Sequence, residues 1–491
     1  MNSAIRKTAL AVALLASGAA QAAGEAKNVI FFLGDGMGPV TVTAARIYKG
    51  EKEIAAGNPA KLPTSERAKL AMQTLPYAAR IKTFSRDAQT TDSAPSMAAY
   101  MTGVKMNNEV ISMSAETSAY APDGSQYIKG EDTACPASNG TPAVTLLELS
   151  KAKGRAVGAV STTRVVHATP ATTYAHICNR NAYNTIAEQS VTAGLDVLMG
   201  GGQRNYLPKA ANPSSKRTDT RNLVQEMQGN GYTYVSKGSE LAALDTSKVT
   251  RLLGLFSQSE MAYELDRVNQ KLDQPSLSDM ATKALDVLSR NDKGFFLMVE
   301  GGRIDHALHG TNAKRALEDT LAFDKAIENV RAYMEKKDPG LKNTLIVVTA
   351  DHDHAIAFNG YTKIGSPILG KAIDYQTGKP ALAADGKPYT TLVFGNGGRP
   401  NATASSQVNA EDGNKPWVAP VRGASRDDLT AVDTTQDNFL QEVGINLGTP
   451  GSETHGGGDV MLFAGGAGAK IFKGTVDNTR VFSKVKEAAG L

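Results

Sequence analysis

Short apolar runs recur along the chain, and each ends at glycine or at a polar residue. Within a run the apolar residues follow one another instead of alternating with polar ones. Continuous runs of this length are typical of strands that are buried on both faces of a sheet. We therefore predict six core strands, within residues 28–36, 155–160, 195–202, 294–302, 343–354 and 459–466.

Segments whose apolar residues have helical spacing lie between these runs. Residues 276–291 and 312–337 have this spacing. Residues 141–154 predict a third helix, with Thr141 as N-cap and proline at its first position. Alternating strands and helices indicate an α/β fold, with a large, mostly parallel central sheet and helices on both faces. In such sheets, binding sites form at the carboxyl ends of the strands.

The first 22 residues have the pattern of a secretory signal peptide. Arg6 and Lys7 precede an apolar run from Ala9 to Ala16, and small residues close the segment at Ala22. We expect cleavage after Ala22 and a periplasmic or secreted protein. The apolar run is too short to span a membrane, and no later run is long enough, so we expect no membrane anchor.

The charge balance argues against a nucleic-acid partner. The chain has 53 lysines and arginines against 49 aspartates and glutamates. Nucleic-acid-binding surfaces typically have basic blocks interleaved with aromatic residues, and the chain has no such block. We expect no nucleic-acid-binding role.

The chain contains two cysteines, Cys135 and Cys178. In an exported protein this favours a single disulfide, although the sequence does not determine how close the two residues lie. Two cysteines exclude a four-cysteine zinc site or an iron–sulfur cluster within this chain.

Residues 355–432 interrupt the alternation of strands and helices. This segment is rich in glycine, proline and asparagine, and its strand-like pieces are short. We interpret it as an insertion off the main sheet, inside a single domain that spans residues 23–491.

Acidic residues and histidines collect in the turns that flank the predicted core strands. Histidine nitrogens and carboxylate oxygens are ligands that zinc prefers, and carboxylates also suit magnesium. Two of these residues are four positions apart, which would put both on one face of a helix. We predict a metal site at one edge of the sheet, built from Asp35, Glu300, Asp305, His309, Asp351, His352 and His455.

Ser93 precedes a run of small, helix-forming residues in TTDSAPSMAAY. Serine is common at helix N-caps, but Ser93 is also a candidate nucleophile. No histidine lies within seventy residues of Ser93, and it lacks the G-x-S-x-G motif of serine hydrolases. A metal ion is then the candidate activator, and the N-terminus of the following helix suits an anion such as phosphate.

Six motifs resemble those of the alkaline phosphatase family and occur in the family's order. They are VIFFLGDGMG, TTDSAPSMAAYMTGVK, TTRVVHATPATTYAHICNRN, VEGGRIDHALH, TADHDH and ETHGGGDV. The resemblance implies an alkaline phosphatase-like fold in which the insertion forms a crown-like region. It also implies an exported, metal-dependent enzyme that hydrolyses phosphate monoesters through a phosphoserine intermediate at Ser93 and releases inorganic phosphate.

The resemblance further implies two zinc ions per chain. The first binds the leaving-group oxygen and later a hydroxide, and the second holds the oxygen of Ser93. The residues that resemble their ligands are Asp305, His309 and His455 for the first ion, and Asp35, Asp351 and His352 for the second.

A magnesium site shared with Asp35 is also implied, completed by Thr169 and Glu300. His167 lies close to this site, and the pair His167 and Thr169 is similar to the animal-type branch of the family. Because a histidine occupies position 167, zinc or cobalt are alternatives to magnesium there. Within the phosphate site, Arg180 resembles the arginine that grips two phosphate oxygens, and Asp92 resembles the carboxylate that orients it.

Other parts of the resemblance concern assembly and an additional site. Animal-type enzymes have a calcium site that begins at a Phe-Glu pair, but Ser257 follows Phe256 here, so we do not expect that site. Trp417 and the insertion resemble the crown region at the family's dimer interface, which implies a homodimer. The remaining histidines are expected to be structural: His176, His306 and His354.

Two other classes of protein remain alternatives at this point. A phosphodiesterase or sulfatase of the same superfamily is disfavoured by Arg180 and by the three metal sites. A non-catalytic phosphate- or metal-binding protein would be favoured only if Ser93 or a metal ligand were missing, and none is.

Overall fold

The computed structural model describes residues 26–57, 64–398, 426–448 and 451–491. The predicted leader and Trp417 lie outside the described residues. Strands and helices alternate along most of the described chain. Within these ranges, no helix combines the length and the apolar character that a membrane span requires.

The described residues form seventeen strands. They are β1 (Asn28–Gly34), β2 (Tyr77–Lys82), β3 (Ile128–Lys129), β4 (Asp132–Thr133), β5 (Ala156–Arg164), β6 (Val197–Gly201), β7 (Tyr232–Val235), β8 (Arg251–Leu255), β9 (Phe295–Gly301), β10 (Thr344–Thr349), β11 (Asp353–His354), β12 (Ile356–Phe358), β13 (Leu392–Gly397), β14 (Glu442–Asn446), β15 (His455–Gly456), β16 (Val460–Gly466) and β17 (Gly474–Asp477).

Ten of these strands form one large sheet, in the order β17-β2-β16-β10-β1-β9-β5-β6-β8-β7. The seven strands from β10 to β7 run parallel to their neighbours. β16 is antiparallel to both β10 and β2, and β17 is parallel to β2. The sheet is therefore mixed but mostly parallel, as predicted, and all six predicted core strands belong to it.

Burial explains why the sequence revealed β1, β9 and β10. Residues 29–33 of β1, 295–299 of β9 and 345–348 of β10 are completely buried, so their sequences are continuously apolar. In β2, by contrast, exposed residues outnumber buried ones. β7 and β17 lie at the two ends of the sheet and are only four residues long, so the apolar pattern did not reveal them.

Twelve α-helices accompany the strands in the described parts of the chain, and helices flank the sheet on both faces as predicted. α9 and α11 pack together, and α2, α3 and α12 form a second group. The helices are α1 (Pro39–Ala55), α2 (Ser93–Thr102), α3 (Leu146–Ala152), α4 (Ala168–Ala171), α5 (Tyr183–Ala193), α6 (Leu223–Gly229), α7 (Gly238–Ala243), α8 (Glu264–Asn269), α9 (Leu277–Leu288), α10 (Arg303–His309), α11 (Ala313–Lys337) and α12 (Thr479–Ala489).

The prediction that Thr141 caps a helix was wrong, because α3 begins five residues later with Thr145 as its N-cap. Thr145 Oγ1 accepts the backbone N–H of Glu148 at 3.1 Å, and the Glu148 carboxylate accepts the backbone N–H of Thr145 at 2.8 Å. This reciprocal capping box satisfies two backbone donors at once. Pro142 instead forms an isolated bridge with Met113.

The region between β10 and β16 contributes no strand to the large sheet among the described residues. β12, β13 and β14 form a separate three-stranded sheet, and β14 extends it beyond residue 432. β11 and β15 form a further antiparallel pair, which sets His354 opposite His455. The predicted insertion at residues 355–432 and the domain limits stay predictions.

Cys135 and Cys178 form a disulfide, with their Cα atoms 6.1 Å apart. Cys178 lies next to Ile177, which makes an antiparallel bridge with Ile111, and two residues before Arg180. The disulfide therefore ties the chain that carries Arg180 to a loop 43 residues away in sequence.

Replacing both cysteines by serine should lower the free energy of unfolding by about 2–4 kcal/mol, because the unfolded chain regains the freedom of the closed loop. Urea denaturation of the variant and the oxidised parent measures the difference. Equal stability of the two proteins would contradict this account of the disulfide.

Candidate active site

The carboxylates of the predicted metal site meet where three adjacent parallel strands end. β1 lies between β9 and β10, and Leu33 is paired with both Glu300 and Thr349. Asp35, just beyond β1, therefore lies beside Glu300 near the end of β9 and Asp351 beyond β10. All three carboxylates are fully buried. The site occupies the edge at which the fold class predicts binding.

The turn after β1 requires glycine at position 36. Its φ of +65° is favourable for glycine, and a Cβ there would lie 2.5 Å from the ring of His354. The backbone N–H of Gly36 donates to Asp351 Oδ1 at 3.0 Å. Gly36 thus joins the ends of β1 and β10 and leaves room for the imidazole.

Ser93 is the first residue of α2, and the side chain that caps this helix is that of Asp92. Asp92 Oδ1 accepts the backbone N–H of Ala94 at 2.7 Å, so the cap does not use the Ser93 hydroxyl. Ser93 Oγ lies 3.3 Å from Asp35 Oδ1 and 3.2 Å from His352 Nε2. The hydroxyl therefore points into the cluster of acids and histidines.

Asp35, Asp351 and His352 offer three ligand atoms within 4.8 Å of one another. His352 Nε2 is 3.2 Å from Asp35 Oδ1 and 3.6 Å from Asp351 Oδ2. Burial raises the pKa of the Asp351 carboxyl well above its usual value, and the charge of Asp35 adds to the effect. Burial alone lowers the pKa of His352, but Asp351 and Asp35 raise it to about 9. A cation between these groups would relieve the repulsion of the two carboxylates.

A second group brings Asp305, His309 and His455 together. α10 places His309 one turn after Asp305, and His309 Nε2 lies 3.3 Å from Asp305 Oδ1. His455 Nε2 is 3.1 Å from His309 Nε2 and 3.5 Å from the same aspartate oxygen. Two ring nitrogens and a carboxylate oxygen therefore converge on a single point, which is the arrangement that a cation requires.

Glu453 is a residue of the site that the sequence prediction missed. Its Oε2 lies 2.6 Å from His354 Nδ1, and His354 Nε2 lies 2.8 Å from Asp305 Oδ1. The Glu453 carbonyl accepts a hydrogen bond from His309 Nδ1. Glu453 thus contacts one predicted ligand, His309, directly and a second, Asp305, through His354, and it precedes a third, His455, by two residues. Its place in SETHGGGD, beside His455, is the sequence signal for it.

A third group contains Asp35, His167 and Glu300. Thr169, in the short helix α4, donates its hydroxyl to Asp35 Oδ2 at 3.3 Å. Ser161 of β5 donates to Glu300 Oε2. Burial raises the pKa of Glu300 well above its usual value, and Asp35 adds to the rise. Asp35 therefore belongs to two of the ligand groups, as the resemblance implies.

The donor atoms of these groups fit divalent metal ions. Among the described residues, Glu300 Oε1, Asp351 Oδ2 and His167 Nδ1 are buried and have no hydrogen-bond partner. Buried polar atoms are otherwise almost always paired, so a cation is the natural partner for the two carboxylate oxygens. Mixed imidazole and carboxylate sets suit zinc, and carboxylate with hydroxyl suits magnesium.

The guanidinium of Arg180 is held by two side-chain contacts, one of them with Asp92, the residue before Ser93. Its Nη1 donates to Asp92 Oδ1 and its Nη2 to His167 Nε2, both at 2.9 Å. Burial and the charge of Arg180 lower the pKa of His167 to about 3, so its ring is neutral and can accept this bond. Through Asp92, the N-cap of α2, a planar guanidinium is thus tied to the helix N-terminus at which Ser93 lies, and both groups suit a phosphate group.

Two of the histidines expected to be structural have hydrogen-bond partners outside the ligand groups, although His306 Nε2 also lies 4.0 Å from Asp305 Oδ2. His176 Nε2 is 3.0 Å from Glu148 Oε1, and Arg303 Nη1 is 2.7 Å from His306 Nδ1. His354, the third, instead belongs to a ligand group through its contact with Asp305.

Comparison with known proteins agrees with this geometry. The family model of alkaline phosphatase matches residues 26–491. The mouse tissue-nonspecific isozyme of alkaline phosphatase is 37% identical over 480 residues, which cover 91% of this chain and 81% of the mouse protein. An alkaline phosphatase of Gadus morhua is 36% identical and is covered to 89%. The chain belongs to the alkaline phosphatase family.

Structural similarity leads to the same family. The crystal structure of Thermus thermophilus alkaline phosphatase superposes with a TM-score of 0.66 and 27% identity, over 96% of this chain and 93% of that one. The protein is therefore a metal-dependent phosphatase that acts on phosphate monoesters, and the non-catalytic alternative is excluded.

Stripping the metal ions should make stability fall as pH rises from about 7 to about 9. In this range the unfolded chain has already released its carboxyl and most of its histidine protons, whereas the raised pKa values of Glu300, Asp351 and His352 keep protons on the metal-free folded state. Stabilisation from these protons is complete below the unfolded pKa values and is lost as pH passes the folded ones.

Melting temperatures with excess chelator and with added zinc and magnesium, measured across this pH range, test the prediction. The metal-loaded protein should melt at a higher temperature at every pH, with the largest difference at pH 9. A metal-free protein that becomes more stable towards pH 9 would contradict the proton linkage.

Proposed function

We propose that this protein is an exported phosphatase that hydrolyses phosphate monoesters through a covalent phosphoserine intermediate at Ser93, with two zinc ions and one magnesium ion. The observation that carries the proposal is the position of Ser93 Oγ. It lies 3.3 Å from Asp35 Oδ1 and 3.2 Å from His352 Nε2, at the first turn of α2. Family membership supports the reaction class.

The three groups of donor atoms support three cation sites. When bound, the metal ions supply Lewis acidity, which stabilises the negative charge that develops on the attacking and leaving oxygens. The proposed ligands are Asp305, His309 and His455 for one zinc, Asp35, Asp351 and His352 for the other, and Asp35, Thr169 and Glu300, with His167 beside them, for magnesium.

In the first step, Ser93 loses its hydroxyl proton to solvent and its Oγ forms a bond to phosphorus. The bond between phosphorus and the ester oxygen breaks in the same displacement, and the alcohol leaves after that oxygen takes up a proton. Asp92 caps α2 and so holds Ser93 at the helix N-terminus during the attack. The backbone N–H groups of this turn face the incoming negative charge.

In the second step, a water molecule that has lost a proton forms a new bond to phosphorus. The bond between Ser93 Oγ and phosphorus breaks, inorganic phosphate is released, and Ser93 regains its proton. Arg180 binds two phosphate oxygens through both steps, because its planar fork matches their spacing. Asp92 and His167 keep the guanidinium in this orientation.

Export and assembly are part of the same proposal. The pattern of residues 1–22 supports a cleaved leader, and the disulfide between Cys135 and Cys178 supports an oxidising compartment such as the periplasm. A homodimer is proposed from the family resemblance alone.

Metal analysis with a pair of substrates tests the proposed function. The purified mature protein should contain about two zinc ions per chain and hydrolyse 4-nitrophenyl phosphate fastest above about pH 8. The diester bis-(4-nitrophenyl) phosphate should be hydrolysed far more slowly, because Arg180 and the clustered cations favour a dianionic group. Comparable rates on both substrates would replace the monoesterase proposal with a diesterase.

Replacing Ser93 by alanine should reduce kcat roughly a thousandfold or more and abolish the phosphoenzyme, because the covalent step loses its nucleophile. Mass spectrometry of enzyme quenched during turnover detects a phosphate group on Ser93. Ser278→Ala, at the second position of α9 and away from the site, is the matched control and should retain activity. Full activity of Ser93→Ala would overturn the covalent mechanism.

A further inference from the structure

Glu109 has an unusual backbone conformation next to the phosphate-binding arginine. Its φ is +71°, and it is one of five described non-glycine residues with positive φ. This left-handed region favours glycine, because a Cβ crowds the backbone there. Glutamate at this position carries a steric cost, and a function of its side chain would explain why it is there.

The backbone of Glu109 helps to hold Arg180 in place. The carbonyl oxygen of Glu109 accepts the backbone N–H of Arg180 at 2.8 Å. Its N–H donates to Asp92 Oδ2, while Asp92 Oδ1 holds the Arg180 guanidinium at 2.9 Å. Glu109 therefore contacts both the backbone of Arg180 and the carboxylate that orients the Arg180 side chain.

These backbone contacts do not require a glutamate. A glycine at position 109 would provide the same N–H and C=O groups and would adopt a positive φ without steric cost. The carboxylate must therefore be explained separately from the backbone geometry.

The carboxylate of Glu109 lies half-buried at the side of the phosphate site. Its Oε2 accepts a hydrogen bond from Asn181 Nδ2 at 3.2 Å, and Asn181 is the residue after Arg180. Burial raises the pKa of Glu109, and the charge of Arg180 acts in the opposite direction. Conversely, Asp92 and then Glu109 raise the pKa of Arg180, although burial lowers it. The bond from Asn181 and the backbone contact with Arg180 therefore place the Glu109 carboxylate beside the arginine.

The surroundings of Glu109 form part of a partly exposed rim, which carries a second acid, Asp87, and one cation, Arg86, whose Nη1 donates to Asn107 Oδ1 at 3.3 Å. Tyr120, whose pKa is raised by burial and by the charge of Glu109, is 40% exposed. Asp87 lies on the same side, where its Oδ1 accepts the backbone N–H of Asn108 at 2.9 Å. Because Glu109 contacts the backbone of Arg180, an alcohol portion that leaves the phosphate site on this side would pass the Glu109 carboxylate.

We propose that Glu109 is a specificity-determining residue, which makes the enzyme discriminate against phosphate monoesters whose alcohol portion carries a second negative charge. The carboxylate repels an anionic alcohol portion and attracts a cationic one, while neutral alcohols are little affected. The substrate class that this rim favours is therefore neutral or cationic monoesters. The inference rests on the proposed function, since it assumes that Arg180 binds the phosphoryl group.

Three aryl phosphates of matched size test the proposal: one neutral, one with a carboxylate and one with a quaternary ammonium group on the ring. The measured quantity is kcat/KM of Glu109→Gln divided by that of the parent enzyme, for each substrate, so that differences in leaving-group chemistry cancel. The ratio for the carboxylate ester should exceed that for the ammonium ester roughly three- to tenfold. The excess should shrink at about 0.5 M salt, because salt screens charges at a solvent-facing rim.

Two further variants control for the backbone conformation of Glu109 and for the removal of a negative charge elsewhere in the loop. Glu109→Gly removes the charge and relieves the positive φ, so it should change the charge preference as Glu109→Gln does while folding at least as stably as the parent. Glu116→Gln removes a charge from an exposed residue further along the same loop and should leave the preference unchanged. Equal ratios for all three esters in both Glu109 variants would overturn the proposal and leave Glu109 a structural residue.

Binding measurements make this result independent of turnover. Titration calorimetry with non-hydrolysable aryl phosphonates of the same three charges gives the corresponding ratio of affinities, with the same expected direction. A parent enzyme that fails to hydrolyse the neutral ester would overturn the proposed function. A charge preference that persists in the affinities of Glu109→Gln would overturn the role of Glu109.

Discussion

The burial of Asp35 at the end of the central strand β1 is the constraint on which the rest of the site depends. A carboxylate without solvent contact needs hydrogen bonds or cations around it, because burial strongly disfavours its charge. Ser93 and His352 contact Oδ1 of Asp35, and Thr169 contacts its Oδ2. The further acids Glu300 and Asp351 lie beside it, so the cluster concentrates carboxylates whose charge the proposed metal ions would neutralise.

The sheet provides the rigidity that such a cluster requires. Neighbouring parallel strands hold Asp35, Glu300 and Asp351 at one edge through paired backbones, so the three carboxylates cannot move apart to lower their repulsion. Elements outside the sheet then complete the site. The pairing of β11 with β15 brings His455 to the cluster, and α2 supplies Ser93. The sheet is thus a rigid base, to which separate elements add the proposed nucleophile and the proposed ligands in a fixed geometry.

Much of the fold could be predicted, for reasons that particular elements make plain. Strands buried on both faces, such as β1 and β10, carry continuous apolar sequences that identify them. β2 and β17, towards one end of the sheet, lack this signature, because exposed strands need few apolar residues. The N-cap of α3 was misplaced because Thr141 and Thr145 are equally good caps in isolation. The Glu148 side chain, which reaches back to Thr145, decided between them.

The sequence by itself determined the kinds of chemistry available: the alternation of strands and helices, the ligand types at strand ends, Ser93 without a nearby histidine, and Arg180. Only the tertiary structure decided which atoms meet. Glu453 reaches Asp305 through His354, although these residues lie up to about 150 positions apart, and Glu109 meets Arg180 across a bridge between distant segments. Such contacts depend on strand register and side-chain direction, which no local pattern of residues encodes.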